Sequence, residues 1–578
     1  MTSLRDGLAP DLTVQEALDL LFAQEDPVVD TVYIAPPPAA VESDEDSCDE
    51  DTGGLADNLN HRQLQAPAEI RLPRRMESAD DITIIENLHK TSSSRTWVSG
   101  NMENTHKRPF PTRDFDKYKD FSPIELFELF FDDEIIDLLV EESNKYALFI
   151  EANNPVITRS EMKCFLGILI LSGYNILPSK RLYWDNNLDT KNTLIQNAMR
   201  RNRFELILRF LHCADNTNPN LSNKIWKIQP LVDKIKKKCM ENYVPDQNLS
   251  YDEAMVKYYG QHSCKQYIKG KPIRFGYKVW SLCTTEGYLV NFEIYQGKSL
   301  RSSGLYDNAF GKCVSPLISM INDFPNDIRA LPMNFHFDNL FTSLQLLSYL
   351  RERGYGGTGT IRENRLPKSC PLVHKKSLKQ KNRGFSCASI SKEDGVIVSK
   401  WVDNSVVSVA SNCIGLEPNS FVKRFSKKEK KIINVPRPFI VAEYNRSMGG
   451  VDRMDQNLSA YRIHIRNKKW YWPLLTWLID VSIQNAWLNM RGTGKSIRHL
   501  EFRRAIVQGY PGRSQSMFRS SLLPDTRFDG LHHYIKKIEK KRRCVGLNCT
   551  GKSSAVRFEC MKCNVGLCIE CFVAFHTR

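Results

Sequence analysis

The sequence predicts a multidomain α/β protein, on three observations. Apolar residues recur at helical spacing between residues 117 and 246, as in Phe204, Ile207, Leu208 and Leu211 at i, i+3, i+4 and i+7. Near Leu249 the pattern changes, and segments 249–257, 273–283, 288–296 and 333–338 are rich in the aromatic and β-branched residues that favour strands. The 578 residues are too many for one ordinary core.

Taken in order, residues 1–114 have a disordered, acidic composition, with the charge run 42–51 and the low-complexity stretches APPPAA and TSSS. Thr13 and Glu16 have capping-box spacing ahead of Ala17, Leu18, Leu21 and Phe22, so a short helix open to an unknown partner is expected there. Ser122-Pro123-Ile124-Glu125 is a second capping box, and Thr158 with Glu161 a third. The third leads into Phe165–Tyr174, which is about half the roughly 20 apolar residues a membrane span needs. With no apolar secretory core at the N-terminus, a soluble intracellular protein with no membrane partner is expected. Glu286-Gly287 suits a turn between two strands, and a helix is expected over 341–353. Residues 365–433 read as short strands interrupted by basic runs. The chain turns helical from Tyr444, Pro473 opens a hydrophobic helix, and 491–540 reads as basic linker.

The net charge is +15, yet residues 1–60 hold fifteen acidic residues against one basic. The remainder is therefore strongly basic, which points to a polyanionic partner, nucleic acid above all. The sixteen cysteines fit a reducing compartment, ten being scattered through the first 413 residues. The other six cluster near the C-terminus. Cys544, Cys549, Cys560, Cys563, Cys568, Cys571 and His576 include two Cys-x2-Cys pairs, a spacing suited to tetrahedral Zn²⁺. Two closed sites need eight ligands, and His532 or His533 is available as the eighth. Lys536, Lys537, Lys540, Lys541, Arg542 and Arg543 precede the cluster and suit a nuclear localisation signal or phosphate contacts. A RING or PHD-type module is the competing reading of the tail, which is short for those folds.

Three acidic segments carry candidate chemistry. In NFHFDN, Asp338 stands at the end of a strand, a usual place for a site and equally for a helix cap. Asp252 falls within a strand, where an acid needs an edge position or a function. Asp452 and Asp455 share a helix face beside the stripe Val451, Met454, Leu458. Brought together, these oxygens suit two Mg²⁺ or Mn²⁺ ions and in-line displacement at phosphorus. The order strand-Asp, strand-Asp, helix-acid matches the RNase H-like layout.

The segments YDEAMVKYYG, KPIRFGYKVW, GYLVNFEIYQGK, FDNLFTS, GTIREN, YNRSMGGVDRMDQ and KKWYWPLLTW resemble the piggyBac transposase family over about residues 115–578. The resemblance implies catalytic acids at Asp252, Asp338, Asp452 and Asp455, with Asp252, Asp338 and Asp452 binding Mg²⁺. It implies homodimers acting on double-stranded DNA at inverted-repeat ends and TTAA-type targets, and a nuclear protein. It also implies a division of the chain. A helical dimerisation and DNA-binding domain takes 115–246 and 457–535. An RNase H-like catalytic domain takes 247–364 and 434–456, split by a β-rich insertion at 365–433. A basic linker spans 536–543 and a zinc-binding cysteine-rich domain 544–578. The tail departs from the family pattern in its first x4 spacing and in Cys568, where relatives carry His. The alternative is a domesticated, non-catalytic DNA-binding nuclear protein.

Overall fold

A computed structural model describes residues 12–13, 33–34, 67–69, 81 and 83–85. From residue 95 it describes all except 153–154, 221, 269–270, 272, 298–303, 428, 519–531, 546–548, 550–554, 564 and 578, and for 511–518 the backbone alone. Short strands β1 (Leu12–Thr13), β2 (Tyr33–Ile34) and β3 (Pro67–Glu69) form a small antiparallel sheet with β3 in the middle. Thr13 is thus in a strand paired with Pro67, and the expected helix after it lies outside the described residues.

Ahead of the main sheet come α1 (Pro123–Glu128), α2 (Asp133–Phe149), α3 (Arg159–Ser172), α4 (Thr193–Ala198), α5 (Arg201–Phe210) and α6 (Gln229–Glu241). The capping boxes on Ser122 and Thr158 start α1 and α3, each closed by the reciprocal glutamate. The run in α3 is buried nearly throughout, and no helix among the described residues is long and apolar enough to cross a membrane.

The main sheet has ten strands: β4 (Trp97–Ser99), β5 (Asn248–Lys257), β6 (Lys265–Tyr267), β7 (Phe275–Thr284), β8 (Leu289–Ile294), β9 (Asn334–Phe337), β10 (Gly356–Thr360), β11 (Ser386–Ser391), β12 (Val396–Val402) and β13 (Val406–Ser411). Their order is β4-β11-β12-β13-β10-β9-β5-β7-β6, with β8 also on β7. The central pairs β10–β9 and β9–β5 are parallel and the rest antiparallel. The turn after β7 contains Gly287 at φ +95°, where the left-handed backbone favours glycine. Between β8 and β10 lie α7 (Gly304–Phe310), α8 (Ser315–Asn322), α9 (Asn326–Arg329) and α10 (Leu344–Glu352).

Four findings differ from the sequence expectation. Trp97–Ser99, inside the stretch assigned to disorder, pairs with β11, because the backbone hydrogen bonds of that edge outweigh local composition. The strands expected in a separate insertion prolong the main sheet, since β13 pairs with β10; only β14 (Ser420–Ser426) and β15 (Lys431–Arg437) form their own ribbon. α11 (Lys375–Leu378) occupies one of its basic runs. The stretch read as linker contains α15 (His499–Phe518), whose Phe502, Ile506, Val507 and Tyr510 bury one face. Before it stand α12 (Phe439–Ser447), α13 (Gly450–Ser459) and α14 (Trp472–Gly492), the last starting with Pro473 in its first turn. The basic segment 536–543 is strand rather than linker: β16 (Ile535–Arg543) pairs with β17 (Ala555–Cys560), which pairs with β18 (Val565–Gly566), and α16 (Ile569–His576) follows.

Asp81 docks against the body. Its fully buried carboxylate accepts hydrogen bonds from Tyr349 at 2.8 Å, from Arg353 at 2.5 Å and from Tyr306. Burial favours the neutral acid, but hydrogen bonds from the two tyrosines and the Arg353 charge outweigh it and hold the carboxyl below its usual value. Its stabilising contribution is therefore complete above about pH 4 and is lost as pH falls through the lowered value. Asp81→Ala leaves Arg353 without its buried partner and should cost about 3–5 kcal/mol in urea unfolding at neutral pH. A change near zero would contradict this docking.

Candidate functional site

The acids converge because of the central parallel strands. Tyr251 on β5 is level with Phe337 on β9, so Asp252 and Asp338 follow at the same height on neighbouring strands. β9 ends at Phe337, and the Asp338 carboxylate accepts from Leu340 N at 2.7 Å, closing the turn. β10 approaches that turn closely, since a Cβ at Gly359 would overlap Thr342 Oγ1. Helix α13 is seated on β5 in the same way: a Cβ at Gly450 would overlap Ser250 Oγ and the Thr284 carbonyl. Asp452 and Asp455 follow on this helix, and the charges of Asp252 and Asp452 both act on Lys271.

The charges of three of the acids act on one side chain, Tyr444. Burial pushes the Tyr444 phenol up to about 12, and the charges of Asp338, Asp252 and Asp452 add to the effect. Burial also pushes Asp252 up to about 8, with the adjacent Glu253 charge adding to it. Asp455 is pushed up to about 6, again mainly by burial, and Asp338 upward by burial with a contribution from Glu253. Lys271 opposes all three shifts, and its Nζ lies 3.5 Å from Glu253 Oε1. Glu253, Lys271 and Tyr444 were not singled out in the sequence; the Asp-Glu doublet in a strand was the signal available for Glu253. Asp452 is exposed at the rim.

The donor set fits a hard divalent cation. Glu253 Oε2 and Asp455 Oδ1 are buried without a hydrogen-bond partner, and like-charged oxygens crowd around one ammonium. The acids form a more open arrangement than the tail. Among the described residues, only two groups, both in the tail, hold all their metal-ligating atoms within 4.8 Å of one another.

The first group is Cys544, Cys549, Cys568 and Cys571; the second is His533, Cys560, Cys563 and His576. His533 is thus the eighth candidate ligand. The Cys568 sulfur is 3.8 Å from those of Cys544 and Cys549, the edge of a tetrahedron with metal–sulfur bonds of about 2.3 Å. His533 Nδ1 is 3.5 Å from the sulfurs of both Cys560 and Cys563. His576 meets the Phe572 carbonyl through Nδ1 at 2.8 Å, which leaves Nε2 facing the Cys563 sulfur. Lys536, Lys537, Lys540, Lys541, Arg542 and Arg543 lie exposed along β16, and Arg542 also pairs with Glu559 at 2.9 Å.

The mixed sheet, the acids beside its central strands and the cysteine-rich tail define a protein of the transposase class. The family model described as "Transposase IS4" matches residues 122–487. The human "PiggyBac transposable element-derived protein 3" is 36% identical over 608 aligned positions, covering 98% of this chain and 99% of the relative. The human "PiggyBac transposable element-derived protein 2" is 35% identical, covering 89% and 88%. The chain belongs to the piggyBac transposase family. A solved piggyBac transposase, in a synaptic complex with hairpin DNA, shares the fold at a TM-score of 0.57 and 20% identity, covering 80% of this chain and all of that one.

The raised carboxyls carry a pH signature. A group whose folded value lies above its unfolded one contributes stability below about pH 4 and loses it as pH rises through the folded value. Metal-free protein should therefore lose stability progressively between about pH 4 and 8, the Asp455 contribution being gone above about 6 and the Asp252 contribution above about 8. Asp252→Asn should be more stable than wild type at pH near 8, by on the order of 1–3 kcal/mol. Thermal melts across pH check this, and identical pH profiles would contradict it.

Proposed function

We propose that this chain is a metal-dependent DNA transposase that cuts and joins strands at TTAA-type sites through an RNase H-like active site. The observation that carries this reading is Asp252 level with Asp338 at the end of the β5–β9 pair, with unpartnered buried oxygens on the adjacent Glu253 and on Asp455. Two Mg²⁺ or Mn²⁺ ions, when bound, would activate an attacking hydroxyl and stabilise a departing 3′-oxygen. In this reading Asp252, Asp338 and Asp452 hold the ions, and Asp455 stands behind them as a further acid. Lys271 balances the acids' charge, and α13 keeps Asp452 in register with the strands.

The basic body supplies the attraction for DNA, and the solved relative is itself in complex with hairpin DNA. The tail is read as a zinc-binding DNA-recognition module, with the exposed cations of β16 as phosphate contacts and nuclear address. A nuclear homodimer follows from the family resemblance. The relatives' names, which mark them as derived from transposable elements, favour a second reading in which DNA binding is retained without chemistry.

Asp338→Asn should lower metal-dependent cleavage of TTAA-flanked ends at least about a hundredfold while leaving DNA affinity nearly unchanged. Full cleavage by that variant overturns the assignment of Asp338; wild-type protein that binds but never cuts supports the second reading. Elemental analysis should give two zinc ions per chain, falling to about one in His533→Ala, because three ligands remain at that site. An unchanged metal content would remove His533 from the ligands.

A further inference from the structure

A cavity of about 570 Å³ lies where the far end of β5 meets the loop after α13 and the first turns of α14. The first two of these elements carry acids of the site. Its wall is apolar, formed by Trp472 and Trp477, which are 4% and 5% exposed, with Leu458 and Ile463. Its rim is cationic, with Lys257, Arg462, Arg466 and Lys468. Tyr259 stands exposed at the mouth, with Lys257 Nζ 5.1 Å from its ring centroid. The one acid in the lining, Asp480, is already neutralised: its carboxylate accepts from Arg503 at 2.8 Å and from Ile463 N at 3.2 Å. Two buried donors on lining residues, Trp477 Nε1 and Arg462 Nε, have no hydrogen-bond partner.

Apolar aromatic walls call for a flat, apolar-faced ligand, and the cationic rim for an anion attached to it. A nucleobase on its phosphate meets both demands, and the exposed Tyr259 ring at the mouth offers it a stacking face that a lipid chain would not use. We infer that this cavity is a nucleotide-binding pocket that receives a base turned out of bound DNA, with its phosphate held by Arg462, Arg466 and Lys468. The inference rests on the proposed DNA-processing function.

Position supports it. Five residues of extended strand separate Asp252 from Lys257, about 17 Å. That is about five steps along one DNA strand at 3.4 Å each. Arg462 also acts on the Asp455 carboxyl, so the pocket adjoins the acids. A base captured there would fix the register of the strand, placing one particular phosphate at the carboxylates. The energy for unstacking comes from the apolar walls and the exposed Tyr259 ring.

The test uses the full zinc-loaded chain and duplexes carrying 2-aminopurine at successive positions from the cut, with binding followed separately by anisotropy. The expected result is a several-fold rise in 2-aminopurine emission at one position, roughly five steps from the cut, and little change elsewhere. Arg462→Met should abolish the rise, Tyr259→Ala should weaken binding roughly tenfold, and Trp477→Phe, which keeps the packing, should reduce the rise. Titration with deoxyadenosine monophosphate, read by quenching of tryptophan emission, tests free nucleotide as the source. Quenching that Arg462→Met removes, without a 2-aminopurine response, assigns the pocket to free nucleotides. Duplex binding with neither response overturns the inference and leaves the DNA function standing. Failure to bind any duplex, with no quenching by the monophosphate, overturns both.

Discussion

The parallel pairing of β5 with β9 is the constraint on which the site depends. Its register sets Asp252 level with Asp338, and the tight turn at the end of β9 aims the second acid beside the first. Carboxylates so placed repel one another, and burial raises the cost of their charge. The upward shifts of Asp252, Asp338 and Asp455 register that cost. It is borne by the packing around it: ten strands, a helix locked by Gly450, and the buried α14. A site under this electrostatic pressure is complementary to cations, and the ammonium groups of Lys271 and Lys278 already lie within the acids' field.

The tail solves a similar problem with softer chemistry. Its core among the described residues is small, centred on Cys560, Leu567 and Phe575, and the segment depends on its metal clusters for cohesion. The strand carrying six exposed cations is hydrogen-bonded to the strand that ends in Cys560. Metal held by these clusters would keep the basic strand in place, which would couple the tail's fold to its charge display.

Much of this was legible in the sequence, and the reasons differ by element. The capping boxes at Ser122 and Thr158 are local, so four residues sufficed to place each helix start. Asp252 stood out because an aspartate within a strand is locally unfavourable and needs an explanation, and the structure does place it within β5. Glu253 and Lys271 were not legible, since their roles come from contacts between β5 and a loop that no periodicity marks. Trp97–Ser99 was missed because an edge strand takes its stability from a partner about 290 residues away in sequence. Composition alone read the α15 stretch as linker because basic residues interrupt its apolar face, Phe502, Ile506, Val507 and Tyr510, whereas the resemblance already implied a helical domain over 457–535. His533 was one of two neighbouring candidates, and only the fold separates it from His532.

The central claim is that Asp252, Asp338 and Asp452 jointly hold divalent cations. Its most direct measurement is anomalous diffraction from crystals of the chain soaked in Mn²⁺. The account expects manganese peaks bridged by the oxygens of these three aspartates. Manganese confined to the tail, or no peak between β5, β9 and α13, would contradict it.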